Sequence, residues 1–104
     1  MRAHKYNAKA CVIDGIRFPS LKQGRRYREL KLLEKAGEIS KLRLEVNIPL
    51  AVNWTLVCTY RADFVYYDKW GSQVVEDCKG FRTPIYRLKK KMMFALNLMH
   101  YTIL

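Results

Sequence analysis

Regular alternation over residues 42–50 constrains the fold of this chain more than any other feature of the sequence. In LRLEVNIPL every second residue is apolar, and the residues between them include Arg43, Glu45 and Asn47. Successive side chains of a strand point to opposite faces of a sheet, so the segment predicts a strand with one buried face. Pro49 has no backbone N–H to donate, which predicts a position at a sheet edge.

The same period continues through NWTLVCTYRADFVYYD, residues 53–68. It predicts a second strand, whose core-facing residues are Leu56, Cys58, Tyr60, Ala62 and Phe64. The turn residues DKWG then separate this strand from SQVVEDCK, so the two segments are predicted to form a hairpin. If the hairpin is centred on Trp70, Asp63 lies directly opposite Asp77, with Cβ atoms about 5 Å apart. A register slip of one residue would put Glu76 there instead.

Turn and capping residues delimit the first part of the chain. Asp14-Gly15, within CVIDGIRF, predicts a tight hairpin. Ser20, with Gln23 three residues later, has the spacing of a capping box and predicts a helix from about Leu21 to Ala36. Gly37 is suited to end that helix.

Thr83-Pro84 predicts the start of a second helix over about residues 84–98, before a short final strand. Its predicted apolar stripe consists of Ile85, Leu88, Met92 and Leu96. The order of elements predicts one α/β (α+β) layered domain over residues 1–104, with a basic N-terminal arm at residues 1–9.

The charge balance points to a polyanionic partner. The chain has 20 Lys and Arg against 9 Asp and Glu, a formal net charge of +11. Nucleic acid is the first expectation and an acidic membrane surface the second. The candidates for phosphate contacts, each of which could instead belong to a solvated helix face, are Arg25, Arg26, Arg28, Arg82, Arg87, Lys89, Lys90 and Lys91.

No run of apolar residues has the length of a membrane span, and the N-terminus lacks the apolar segment of a secretory signal. Three widely spaced cysteines match neither a zinc site nor a disulfide framework. We therefore expect a protein with reduced thiols in the cytoplasm, or in the host cytoplasm if the chain is phage-encoded, with no membrane partner.

The predicted pairing of Asp63 with Asp77 suggests a metal site. Two carboxylates this close repel each other unless a cation joins them. Mg²⁺ takes one or two carboxylates together with waters and a substrate phosphate. Lys79, on the same face as Asp77, could stabilise charge on that phosphate, so these residues supply the parts for phosphodiester hydrolysis. The alternative is that Asp77 and Lys79 neutralise each other beside Arg61 and Asp63.

Stretches in order along almost the whole chain resemble the PD-(D/E)xK nuclease superfamily, specifically small phage-type endonucleases related to Holliday junction resolvases. They are KYNAK, DGIRFPS, LKQGRRYRELKLLEKAGEI, YRADFVYYD and VVEDCKGFRTPIYRLKKKM. The resemblance implies a restriction-endonuclease-like core: a helix, a three-stranded antiparallel meander, a second helix and a final strand. It also implies that Asp63 and Asp77 bind Mg²⁺ or Mn²⁺, that Lys79 is the catalytic lysine, and that the protein cleaves branched or junction DNA as a homodimer.

The chain departs from that family at Gln23, where related nucleases have a glutamate. An amide can offer a carbonyl oxygen to a metal or orient a water, but it carries no negative charge. Gln23 is therefore a candidate catalytic residue whose presence predicts weaker metal binding, and its alternative role is the capping box with Ser20. Glu29 lies six residues further on, about 120° around the helix axis.

Two other functions remain open at this point. A catalytically weakened nuclease fold could act as a nucleic-acid-binding module, which Gln23 favours. A basic protein of this kind could also bind an acidic host partner through its helices, which only the net charge supports.

Overall fold

The computed structural model describes residues 9–78 and 82–96 and the backbone of residues 101–103. The elements follow in the order β1 (Cys11–Ile13), β2 (Ile16–Phe18), α1 (Leu21–Lys35), β3 (Ile39–Val52), β4 (Thr55–Asp68), β5 (Gln73–Glu76), α2 (Pro84–Ala95) and β6 (Tyr101–Ile103). The mixed α+β class predicted from the sequence is confirmed. Lys79 lies outside the described residues, as do the arm at residues 1–8 and the predicted helical end at 97–98.

Two sheets make up the β-structure. Strands β1 and β2 form an antiparallel hairpin, and the larger sheet has the order β3-β4-β5-β6. In the larger sheet β3, β4 and β5 are an antiparallel meander, while β6 runs parallel to β5. The predicted meander with one further strand is therefore present. Pro49 lies in β3, the edge strand, opposite Thr59.

The register of the β4–β5 hairpin is the one predicted. Phe64 pairs with Glu76 and Tyr67 with Gln73, so the hairpin is centred on Trp70. Asp68 closes the turn, because its Oδ1 accepts the backbone N–H groups of Trp70 and Ser72, at 2.9 Å each. An aspartate at this position of a turn satisfies backbone donors locally, which holds the register of both strands.

The two helices cover opposite faces of the larger sheet. Val74 is buried in a cluster with Tyr27 and Leu30 of α1, whereas the next residue, Val75, is buried with Tyr86 and Met93 of α2. Adjacent strand residues point to opposite faces. The sheet is therefore the middle layer between α1 and α2.

Strands β3 and β4 exchange their buried faces part-way along. Tyr60 and Ala62 lie in the α2-side cluster, but Phe64 lies in the α1-side cluster. The prediction that Phe64 shares a face with Tyr60 and Ala62 is wrong for this reason. The exchange occurs where Glu45 of β3 has φ 50°, a left-handed conformation that interrupts the regular pleat. Asp63 is the β4 residue at this break.

Side chains cap both helices as predicted. Ser20 Oγ accepts the Gln23 N–H at 3.1 Å, and Thr83 Oγ1 accepts the Tyr86 N–H at 3.1 Å. Gly24, which weakens a helix intrinsically, is explained by packing. A Cβ at this position would lie 2.6 Å from Cys11 Sγ, so the first turn of α1 can approach the β1–β2 hairpin only with glycine.

The apolar stripe predicted for α2 is only partly buried. Tyr86 and Met93 face the sheet, whereas Ile85 and Leu88 are 66% and 60% exposed. The buried residues of α2 lie on the helix face that packs against β4. This face lies about 100° around the helix axis from the predicted stripe. No helix in the described part of the chain is long and apolar enough to cross a membrane.

Candidate functional site

Asp63 and Asp77 lie together where β4 and β5 meet. The backbone N–H of Asp63 donates to Asp77 Oδ1 at 3.3 Å, and the N–H of Cys78 donates to Asp63 Oδ2 at 2.7 Å. Each carboxylate thus accepts a hydrogen bond from the backbone of the other segment. This reciprocal pair continues the hairpin register one step beyond the last ladder pair, Phe64 with Glu76. The predicted position of Asp63 opposite Asp77 is present, and the convergence of the two carboxylates on a shared cation stays a prediction.

Two tyrosines hold the Asp77 carboxylate from the α2 side. The hydroxyls of Tyr60 and Tyr86 both donate to Asp77 Oδ2, the latter at 3.3 Å. The two rings stack with centroids 6.1 Å apart. Burial raises the pKa of Tyr60, and its hydrogen bond to Asp77 raises it further. Burial is also the main reason that the pKa of Tyr86 is raised. Both hydroxyls therefore remain protonated donors at neutral pH.

Glu76, the neighbour of Asp77, is held from the α1 side. Arg26 donates from Nε to Glu76 Oε1 at 2.8 Å and from NH2 to Oε2 at 2.7 Å, and the Tyr66 hydroxyl donates to Oε2. Burial alone would raise the pKa of Glu76, but the bonds from Arg26 and Tyr66 outweigh it and hold the pKa below its usual value. Arg26 also bonds Glu29 at 3.0 Å.

This network defines what Arg26 and Glu29 do in the fold. The pKa of Arg26 is raised, chiefly by the bond to Glu76, and its guanidinium is occupied on three of its donor groups. Arg26 was predicted as a phosphate contact, and the structure gives it a buried carboxylate partner instead. A bidentate Arg–carboxylate pair of this kind joins α1 to the end of β5.

A groove of about 310 Å³ separates α1 from the end of β5. Its lining consists of Lys22, Arg25, Arg26, Glu29, Glu76, Asp77 and Cys78. Lys22, Arg25 and Arg26 of α1 therefore line the same groove as Asp77, and the phosphate contact of Arg25 stays a prediction. Burial raises the pKa of the Cys78 thiol to about 11, with the charges of Asp63 and Glu76 adding to the effect.

The second basic cluster lies on the other layer. Arg82 Cζ lies 5.9 Å from the Tyr86 ring centroid, which places this arginine near Asp77. Arg87 and Lys91 are exposed on α2, while Lys89 and Lys90 are half-buried. Arg28 on α1 contributes to a separate cavity, next to the β1–β2 hairpin. The predicted phosphate contacts thus fall on both sides of the sheet, with Arg25 and Arg26 in the groove that Asp77 lines and Arg82 beside Tyr86.

Gln23 is buried, with 5% of its surface exposed. Its backbone N–H is capped by Ser20, and its side chain lines a cavity of about 140 Å³ with Phe18, Leu44 and Glu45. Glu45 lies between residues 44 and 46, which pair with Phe64 and Ala62, so it faces the Asp63 position across the β3–β4 ladder. The Ser20 cap of the predicted capping box is confirmed, and a role of the Gln23 side chain at a metal stays a prediction.

In the described part of this region, few side-chain oxygens are placed to bind a metal ion. Within residues 9–78 and 82–96, no group of three or more His, Cys, Asp and Glu side chains is arranged to hold a metal ion. Two aspartates match the one or two protein carboxylates that Mg²⁺ commonly takes, because waters and substrate phosphates complete its octahedron. The donor types of Asp63 and Asp77 therefore fit this cation.

Sequence reasoning missed the residues that hold the acids in place. Tyr60 was predicted only to face the core, yet its hydroxyl bonds Asp77, and so does that of Tyr86. Arg61, expected beside Asp63, bonds Glu45 at 2.7 Å instead. The alternation of β4 places Tyr60 on the face that α2 covers, so it indicated part of this arrangement. No local sequence pattern predicts the Arg26–Glu76 pair, because the two residues are 50 apart in the chain.

The family model described as "Protein of unknown function (DUF1064)" matches residues 3–103, nearly the whole chain. The chain therefore belongs to this family. No curated protein and no solved structure matches the sequence at a significant level. The description of the family states no activity.

Proposed function

We propose that this member of the DUF1064 family is a metal-dependent endonuclease that hydrolyses phosphodiester bonds in DNA, with a PD-(D/E)xK-like core. The observation that carries the proposal is the reciprocal bonding of Asp63 and Asp77: the Asp63 N–H donates to the Asp77 carboxylate, and the Cys78 N–H donates to the Asp63 carboxylate. Asp77 lines a groove together with Lys22 and Arg25. We further propose branched or junction DNA as the substrate, and a cytoplasmic location.

In this proposal Asp63 and Asp77 bind Mg²⁺ or Mn²⁺. The cation, when bound, polarises the scissile phosphate and lowers the pKa of a water. Tyr60 and Tyr86 orient the Asp77 carboxylate, because both hydroxyls donate to the same oxygen. Lys79 follows Asp77 by two residues in the sequence and is assigned to the charge that builds on the phosphate.

The basic residues on either side of the acids position the polynucleotide. Lys22 and Arg25 line the groove on the α1 side, and Arg82 lies beside Tyr86 on the α2 side. Contacts of this kind are made to the phosphate backbone, so they set the position of the strand without reading its sequence. This arrangement favours a substrate that is selected by its shape.

A second candidate function is nucleic-acid binding without catalysis. Two tyrosine hydroxyls bond Asp77 Oδ2, so a cation would share that oxygen with two established donors. Gln23 adds no negative charge where related nucleases have a glutamate. In this alternative the acids complete the fold at the end of the hairpin, and the basic groove binds the backbone with a strong dependence on salt.

Cleavage of branched, flap and duplex DNA and of RNA, in Mg²⁺ and in Mn²⁺, separates the two candidates. We expect the wild type to cut a branched substrate, and Asp77→Asn to lower the rate by about a thousandfold or more. Glu38→Gln is the matched control, because Glu38 is an exposed acid paired with Lys69. This variant should cut normally.

A wild type that cuts no substrate with either metal would contradict the nuclease proposal. If it still binds DNA at low salt, and Asp77→Asn binds equally well or more tightly, the non-catalytic module is the correct function. Loss of calorimetric Mg²⁺ binding in Asp63→Asn would instead support the metal site independently of turnover.

A further inference from the structure

The hairpin formed by the end of β3 and the start of β4 differs in composition from the rest of the chain. Residues 46–60, VNIPLAVNWTLVCTY, contain no charged side chain, although charged residues make up 28% of the chain. We call this segment the apolar arm. Its base is covered by α2, where Ile48, Leu50 and Tyr60 are buried with Met93.

The outer half of the apolar arm is exposed. Its exposed fractions are 41% at Val52, 102% at Trp54, 61% at Leu56 and 56% at Val57. Strand β5 pairs with β4 only over residues 64–67, so in the described part of the chain no strand lies beside this half except β3. Apolar side chains in such a number are unusual on the surface of a monomer.

Trp54 occupies a position that disfavours its side chain. Asn53 and Trp54 form a two-residue turn with φ values of 49° and 68°. Both values lie in the left-handed region, where a hairpin turn of this type prefers Asn followed by Gly. A tryptophan here is strained and fully exposed, so it neither helps the turn nor contributes to the core of its own chain. An outlier of this kind suggests a contact outside the monomer.

The exposed surface continues from the arm onto α2. Cys58 Sγ in the arm lies 3.9 Å from Met92 Sδ, and Leu88 and Ile85 precede Met92 at helical spacing on the same side of α2. Together the exposed arm residues, Ile85 and Leu88 present on the order of 700 Å² of apolar surface. Each partner in a standard protein interface buries roughly 800 Å².

Charge indicates what covers this surface. Nucleic acid requires cations, and the apolar arm has none. An acidic partner would be drawn to the basic helices instead. Two copies of a chain with a net charge of +11 repel each other, and the repulsion is smallest where both present an uncharged surface. A two-fold interface also needs a surface that is complementary to itself, which an apolar patch satisfies.

We infer that the apolar arm is a homodimerisation surface, on which Trp54 of each copy packs against the arm and the α2 stripe of the other. The inference does not rest on the proposed nuclease activity, because self-association is measured without DNA or metal. It assigns to a second copy the exposed outer half of the arm together with Ile85 and Leu88 of α2.

Sedimentation of the full chain over about 1–100 μM, in about 0.5 M salt to screen the net charge, tests the inference. We expect the wild type to sediment at twice 12.3 kDa at the upper concentrations. Trp54→Gly should raise the dissociation constant of the dimer at least about tenfold. Its midpoint of thermal unfolding at low concentration should not fall, because Asn-Gly suits the turn better.

The chain provides a matched control in Trp70→Ala. Trp70 is the second of two tryptophans, is 81% exposed, and lies in the β4–β5 turn. This variant should dimerise like the wild type, with the fluorescence of Trp54 shifting to shorter wavelength as the dimer forms. A wild type that stays monomeric over the whole range overturns the inference, as does Trp54→Gly dimerising normally. If the wild type stays monomeric and Trp54→Gly loses DNA binding, the arm belongs to nucleic acid instead.

Discussion

Glu76 and Asp77 are neighbours in sequence, yet their carboxylates are held by opposite layers of the molecule. Glu76 receives two bonds from the Arg26 guanidinium of α1 and one from Tyr66. Asp77 receives bonds from the hydroxyls of Tyr60 and Tyr86 and from a backbone N–H. One acid is thus bonded by a cation, and the described bonds of the other come from neutral groups. The strand pleat separates the two environments.

The difference shows how one strand end can hold a structural acid and a candidate functional acid side by side. A buried carboxylate needs compensation, and Arg26 supplies it to Glu76 with full positive charge. Hydroxyl and backbone donors instead hold the Asp77 carboxylate in position beside Asp63. The proposed function rests on that position.

The largest expected change in stability comes from Glu76→Gln. This substitution removes the charge that compensates Arg26 and should lower the free energy of unfolding by about 2–3 kcal/mol. Asp77→Asn should lower it by less than about 1 kcal/mol, because the amide still offers an acceptor to the tyrosines. Urea denaturation measures both. Glu38→Gln, at an exposed ion pair, should stay within about 0.5 kcal/mol of the wild type. An Asp77→Asn variant as unstable as Glu76→Gln would make both acids structural.

Tyr66 and Tyr60 donate hydroxyl hydrogen bonds to Glu76 and Asp77, respectively. Tyr66→Phe should cost about 1.5–2 kcal/mol, since it removes a hydrogen bond to a charged, buried acceptor. Tyr60→Phe should cost about 1 kcal/mol, because Tyr86 still donates to the same oxygen of Asp77. Thermal unfolding of the two variants at neutral pH gives the order. Equal losses would mean that the two acids depend on their hydroxyl donors to the same degree.

The smallest effect is expected in the pH dependence of stability. The pKa of Glu76 is held below its usual 4.5, so the unfolded chain takes up a proton there before the folded chain does. The stabilisation is present above pH 4.5 and is lost as the pH falls through the folded pKa. The difference between wild type and Glu76→Gln should therefore shrink in acid. A constant difference down to pH 3 would contradict the assignment.

At alkaline pH the tyrosines act with the opposite sign. The pKa values of Tyr60 and Tyr66 are raised above their usual 10.0, first by burial and then by their bonds to the acids. Their contribution is present below pH 10 and is lost as the pH rises towards the folded pKa values. Tyr60→Phe and Tyr66→Phe should each reduce this alkaline loss, which denaturation between pH 8 and 11 would measure.

Local patterns predicted most of the elements and the position of the paired aspartates. The centre of the hairpin at Trp70 followed from turn residues, and it placed Asp63 opposite Asp77 because antiparallel pairing is determined by the turn. The caps at Ser20 and Thr83 were predicted equally well, since a capping bond spans only three residues.

The predictions failed where distant residues determined the outcome. Phe64 was placed on the wrong face because the break at Glu45, in another strand, shifts the pleat of both. Ile85 and Leu88 were predicted to be buried, but the helix turns a different face to the sheet. Helical periodicity identifies an apolar stripe but does not say which neighbour covers it.

The sequence by itself determined the class of fold, the hairpin register and the two acids, because each depends on interactions between residues close in the chain. Only the tertiary structure decided that Glu76 meets Arg26 and that Asp77 meets two tyrosines. Arg26 and Glu76 are 50 residues apart, and Tyr60 and Asp77 are 17 apart. Glu76 and Asp77 share the local sequence EDCK, so their bonding partners differ because the sheet places each acid against a different helix.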